Sequence, residues 1–217
     1  MKPPRWSEQL LRSLLIDRDR DAISGDLLEE YREVVVPTHG ARRARWWYRR
    51  QAVGVVWHGA RLPVMIGLAI GTVLGVMILI DTARQPLSDD DAGVMLAWVM
   101  TLLTIWSAVA VAVTWRSKQM ADTVKVGTLL GVVTIVVFHV ASIVRLNLFL
   151  DAIRHRQDWQ NLVARYHHSR FHSLRAYANY EYATMTPMII ALGAIAGLIS
   201  GVVAGLVNAV RHTSHEG

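Results

Sequence analysis

The chain reads as an all-α, multi-pass membrane protein, a four-helix transmembrane bundle behind a small helical module. Three observations carry that reading. Residues 62–80, 94–115, 126–144 and 186–210 are apolar all round and come close to or exceed the roughly 20 residues a helix needs to cross a hydrocarbon core. Met1–Arg61 holds twelve Lys/Arg and eight Asp/Glu, so the 53% hydrophobic content is segregated from the charge rather than mixed with it. Glycines recur at every fourth position in the first and last apolar stretches, which places them on one helix face. Residues 1–58 are therefore expected to form the module and its juxtamembrane helix, and residues 59–217 the transmembrane domain.

Within the module, Ser7 can cap a first helix whose Leu10, Leu11, Leu14 and Leu15 share a face, with Trp6 beside it. Pro3–Trp6 lead into an amphipathic stretch without the apolar core or cleavage site of a signal peptide. A charged stretch, Asp17–Asp21, follows. Asp26 with Glu29 three residues on resembles a capping box opening a second helix, with Leu27, Leu28, Tyr31, Val34 and Val35 apolar and Glu29, Glu30 and Glu33 polar. Pro37 is expected to end it. A third helix begins near Ala41 and carries Trp46, Trp47, Tyr48, Arg49 and Arg50 toward the first span, a mixture suited to headgroup depth.

These segments share an order with a known family. PPRWSEQLLRSLL at Pro3–Leu15, DRDRDAISGDLLEEYRE at Asp17–Glu33 and WWYRRQAV at Trp46–Val53 resemble the permease prefix domain. That domain is a short cytoplasmic unit preceding bacterial ABC-type export permeases. The resemblance covers about residues 3–55. It implies a bacterial inner-membrane protein whose prefix contacts an ABC-type ATPase, a permease or a cytoplasmic regulator, and it brings no catalytic residues. The remainder departs from those permeases: the connection after the first span is only residues 81–93, too short for their large extracytoplasmic domain.

The flanks of the spans set the expected orientation. Arg42, Arg43, Arg45, Arg49, Arg50 and Arg61 precede the first span, whereas the first connection, with Asp81, Arg84, Asp89, Asp90 and Asp91, is acidic, so both termini are expected in the cytoplasm. Arg116, Lys118, Lys125 and Arg211 agree. Arg154, Arg156, Arg165, Arg170 and Arg175 in the last connection oppose it without reversing the bias.

Two glycine grooves, Gly67, Gly71 and Gly75 on span one and Gly193, Gly197, Gly201 and Gly205 on span four, are expected to pack on each other within one chain, a homodimer being the alternative. Gly127 and Gly131 repeat the spacing briefly. His139 in span three and Asn208 near the end of span four are the intramembrane polar candidates, with hydroxyls at Thr101, Thr104, Thr134 and Ser142. No Asp, Glu or Lys at mid-membrane partners His139, so the expected role is a neutral histidine bonded between helices rather than a proton carrier.

Residues 151–182 read as an interfacial outer segment, a helix broken by a turn, with Trp159, Tyr166, Phe171, Tyr177, Tyr180 and Tyr182 as anchors. His168 and His172 are four apart and would align on a helix, a weak metal candidate that neighbouring arginines disfavour. The Asp89–Asp91 run is expected to be solvated. With no cysteine, thiolate metal sites and a cysteine nucleophile are excluded, and no phosphate loop or catalytic triad spacing is present. The charge of +6 crowds at span ends, which favours membrane lipid over nucleic acid. The expected function is a non-enzymatic accessory or regulatory membrane protein without cofactor, docking its partner through Leu27, Leu28, Glu29, Glu30 and Tyr31. A small transporter or channel and a membrane-tethered sensor are the alternatives.

Overall fold

The computed structural model describes residues 3–15, 20–88, 92–115 and 119–213. Asp17, Asp19, the Asp89–Asp91 run, Arg116 and Lys118 lie outside them. Helix α1 is Arg5–Leu14 and α2 is Arg20–Glu30, which runs through a π-helical turn, Tyr31–Val35, into α3, Val36–Arg84. Then come α4 (Ala92–Val113), α5 (Met120–Ile153), a short 3-10 turn (Gln157–Trp159), α6 (Gln160–His167) and α7 (Leu174–Thr213). No strand occurs among the described residues, and four of the helices, α3, α4, α5 and α7, are long and apolar enough to cross a membrane.

Three boundaries of the module differ from the sequence expectation. Pro4, at φ −63° and ψ 123°, is the N-cap of α1, and its carbonyl accepts from the Ser7 amide at 3.0 Å. Ser7 thus sits inside the first turn, buried, because proline's fixed φ already holds the extended geometry a cap requires. Asp26 and Glu29 lie inside α2, which is already helical at Arg20. Gly25, where a Cβ would meet nothing within 4 Å, is an exposed helical residue rather than a break. Pro37 does not end the helix. In the π-turn the Val36 amide donates to Tyr31 rather than to the carbonyl four back, which opens the ladder just ahead of the proline ring. The Thr38 hydroxyl donates to the Val34 carbonyl at 2.6 Å. The break falls at Gly40 (φ 73°, ψ 164°), a conformation only glycine adopts cheaply.

From residue 41 to 84 the helix is continuous, roughly 65 Å at 1.5 Å per residue. Its first four turns build the module. Ala44, Tyr48, Ala52 and Val56 form a stripe at intervals of four that packs against Leu11 of α1, Leu15 just after it, and Leu27, Tyr31 and Val35 of the α2 arm. The alanines let the arms close in, and the rings of Tyr31 and Tyr48 meet edge to face with centroids 5.2 Å apart. Each large side chain buried there contributes about 1.5–3 kcal/mol by leaving water. Lys125 at the start of α5 donates to the Leu15 carbonyl at 3.0 Å and ties the module to the bundle.

In the bundle α5 is the hub. A Cβ at Gly67 would lie 3.0 Å from Val133, one at Gly71 would lie 2.7 Å from Val137, and one at Gly75 would lie 2.6 Å from Ala141. Gly193, Gly197, Gly201 and Gly205 face the other side of α5, along Gly131, Gly127, Thr123 and Met120. Both ladders are therefore satisfied inside the chain, but by span three and not by each other. The short Gly127–Gly131 repeat is what opens α5 to the fourth span. Helix α4 lies against α7 and α5, with Trp106 and Ala110 buried in the cluster of Val126, Leu130 and Ala204.

Candidate functional site

Of the five proposed docking residues, the fold removes two. Leu27 and Tyr31 belong to the module core, because the apolar face of α2 is turned onto α3. Leu28 is half-buried, and Glu29 and Glu30 are exposed on the opposite side.

The module's outer surface carries large apolar side chains instead: Trp46 is 62% exposed, Val34 57% and Trp6 44%. Arginines stack on two of these indoles, Arg50 over Trp46 at 5.7 Å and Arg49 over Trp6 at 5.6 Å. Where the α2 arm turns at Gly40 into the long part of α3, a concavity of about 670 Å³ opens, lined by Val35, His39, Arg42, Arg43, Trp46 and Trp47. Sequence reasoning placed these tryptophans at headgroup depth. The unbroken helix carries them further: fifteen residues, or about 22 Å along the axis, separate Trp46 from Arg61, against a headgroup layer of about 5–8 Å per leaflet. The stretch forms part of the surface of the module.

Inside the bundle, the polar candidates tie helices together. His139 on α5 shares a hydrogen bond with the Thr186 hydroxyl on α7 at 3.1 Å and stacks on Tyr182, with ring centroids 5.9 Å apart. Asn208 donates to the Thr114 hydroxyl at 3.2 Å, joining α7 to α4, and Thr134 donates to the Gly67 carbonyl at 3.3 Å, joining α5 to α3. Thr101, Thr104 and Ser142 bond back to carbonyls of their own helices. The four span hydroxyls named from the sequence are thus engaged in backbone or interhelical bonds.

The segment between α5 and α7 folds back on itself. Trp159 and Tyr177, expected as interfacial anchors, are buried instead; Trp159 joins Leu146, Leu150, Ile153 and Ala178 in a small core, while Phe171 and Tyr180 stay exposed. His168 and His172 do not align, since α6 ends at His167 and residues 169–173 turn toward α7. No group of three or more metal-ligating side chains occurs among the described residues. Arg156 is buried and donates from Nε to the Pro86 carbonyl at 2.8 Å and from Nη2 to the Gln85 carbonyl at 3.3 Å, pinning the end of α3 to the segment between α5 and α7. Asn147 and Asn179 exchange amide bonds at 2.9 and 3.0 Å across α5 and α7. None of these three residues stood out in the sequence: Arg156 was one of five similar arginines, and an asparagine pair 32 residues apart has no local signature. Lys125, read only as a flanking charge, gave no hint of its bond to α1.

Compared with known proteins, the chain matches no family model, no curated protein and no solved structure.

Proposed function

We propose that this chain is a non-enzymatic accessory or regulatory protein of a bacterial cytoplasmic membrane, oriented with both termini inside, whose amino-terminal module docks a cytoplasmic protein. The resemblance of residues 3–55 to permease prefix domains makes an ATPase or permease of an ABC-type export system the favoured partner class. The observation that carries the reading is a module with its own core whose exposed side chains include Trp6, Val34 and Trp46. Isolated apolar side chains on a surface need no explanation, but tryptophan and arginine side by side are the composition of interface hot spots. A water-facing module also gains nothing from exposed indoles unless something covers them.

The test is co-purification in mild detergent of the full chain beside Leu28→Asp and Trp46→Ala chains, with associated proteins identified by mass spectrometry. Neither substitution touches the buried stripe at Ala44, Tyr48 and Ala52. A partner recovered with the unaltered chain and depleted about tenfold with Trp46→Ala is the expected outcome, a loss of roughly 1.4 kcal/mol of binding. Recovery unchanged in both variants overturns the proposal.

A further inference from the structure

We infer that the elbow at Gly40 is a receptor groove for an acidic chain segment bearing a bulky apolar side chain, supplied by a cytoplasmic protein. This rests on the docking reading above and gives it a place and a chemistry. The lining is one-sided in charge. His39, Arg42 and Arg43 face the concavity with Val35, Trp46 and Trp47, and among the described residues no carboxylate lines it. Among the described residues, no ion pair or hydrogen bond engages the side chain of Arg42 or Arg43. Arg42 with Trp46, and Arg43 with Trp47, stand four apart on one helix, so basic and indole residues alternate along one face of it. Carboxylate next to apolar surface is the chemistry that such alternation recognises, the guanidinium fork taking the carboxylate and the ring the flanking side chain.

The groove is also built in advance of any occupant. Gly40 holds the turn in a conformation closed to other residues, and Val35 and Ala44 on either side of it belong to the buried core. A volume of about 670 Å³ suits one large side chain and the backbone that carries it. A preformed site spares the ordering cost of binding.

Two other occupants are disfavoured. With α3 along the membrane normal, the distance of about 22 Å from Arg61 exceeds the depth of a headgroup layer of about 5–8 Å. A second copy of this chain presents a prefix with twelve Lys/Arg against eight Asp/Glu, so two modules repel, whereas an acidic protein is drawn in.

The experiment uses the full-length chain in cells, with the photocrosslinker p-benzoylphenylalanine in place of His39 at the lip of the groove. A second chain carries it in place of Glu29, on the exposed side of α2. After irradiation, the crosslinked segment is identified by mass spectrometry. The expected result at position 39 is a protein segment in which Asp or Glu adjoins an aromatic or aliphatic residue. Adding Arg42→Glu and Arg43→Glu should lower its yield about tenfold, equivalent to roughly 1.4 kcal/mol of binding, while Arg→Lys at both, which keeps the charge and loses the fork, should lower it less. A phospholipid adduct, a crosslink to a second copy, a segment without acidic residues, or a yield insensitive to charge reversal each overturns the groove. A protein captured at 29 and nothing at 39 overturns the groove and leaves the docking function standing. Silence at both positions overturns both.

Discussion

The module and the bundle close their helix contacts with opposite materials. In the module the contact is made by what is present: Leu11, Leu15, Tyr31 and Tyr48 fill the space between three helical arms, all of them nearly inaccessible. In the bundle it is made by what is missing, since a Cβ placed on Gly127, Gly131 or Gly197 would run into the backbone of the facing helix. The difference follows from the two solvents. In water, large apolar side chains leaving solvent drive association; in lipid that drive is absent, and helices gain by bringing backbones close enough for dispersion contacts. The two regions should therefore fail under opposite substitutions, the module when side chains shrink and the bundle when they grow.

The largest effect is expected at the centre of the bundle. Gly131→Val puts a branched side chain against the Gly193 carbonyl and the Gly197 backbone, where the obstacle cannot rotate away. Overpacking costs typically 1–3 kcal/mol and more where backbone must move, so about 3 kcal/mol or above is expected here. Thermal unfolding in detergent, or recovery of folded monomer, reads it. The same change at Gly54, where a Cβ would meet nothing within 4 Å, should be close to silent. Equal sensitivity at the two positions would break the comparison.

Next comes the converse substitution in the module. Tyr48→Ala empties the site where α2 meets α3 and should cost about 3 kcal/mol, the range for deleting a buried aromatic ring. The loss should be local. Hydrogen exchange over residues 5–56 should rise while the bundle keeps its protection, because the module and the bundle have separate core clusters. Loss of protection in α5 as well would show that the Lys125 bond to Leu15 couples the two regions more tightly than their separate cores suggest.

How far these contacts were legible in the sequence depends on the same difference. The four spans were, because length and unbroken hydropathy suffice. The glycine faces were, because a spacing of four defines one side of a helix. Their partner was not: spacing fixes a face but says nothing of the direction in which it points, and α5, with only Gly127 and Gly131 to mark it, receives both ladders. In the module, cap and breaker signals misled because local rules met tertiary packing. Pro37 was absorbed by a π-turn, and the box at Asp26 lay inside a helix that already ran from Arg20. The aromatic, basic character of residues 46–50 was plain, but its distance from the membrane depends on α3 continuing without a break through Pro63. The docking list lost Leu27 and Tyr31 because amphipathicity identifies two faces of a helix and not which one is covered.

The segment between α5 and α7 sharpens the contrast, since polar bonds to backbone tie it beside a small core of large side chains. Arg156→Ala removes two charged hydrogen bonds to the Pro86 and Gln85 carbonyls and leaves a cavity, an expected cost of about 2 kcal/mol. The readout is faster proteolysis within residues 154–173 in sealed vesicles, with the spans intact. An unchanged cleavage rate would mean that the small core around Trp159 and Ile153 holds the segment unaided.

The smallest effect has the opposite sign. Tyr31 is fully buried, and its hydroxyl has no hydrogen-bond partner among the described residues. A buried hydroxyl left unpaired forfeits its bonds to water, a cost of about 1–3 kcal/mol that only a compensating partner offsets. Tyr31→Phe keeps the ring, its edge-on contact with Tyr48 and nearly all of its volume while deleting the costly atom. The module should gain stability by up to about 1 kcal/mol, measured as slower hydrogen exchange at residues 44–56. A gain shows that the side chain serves the module as packing mass, in keeping with a water-facing region held by burial. A loss would mean that the hydroxyl is paired in the working protein, and would return Tyr31 to the docking surface from which its burial removes it.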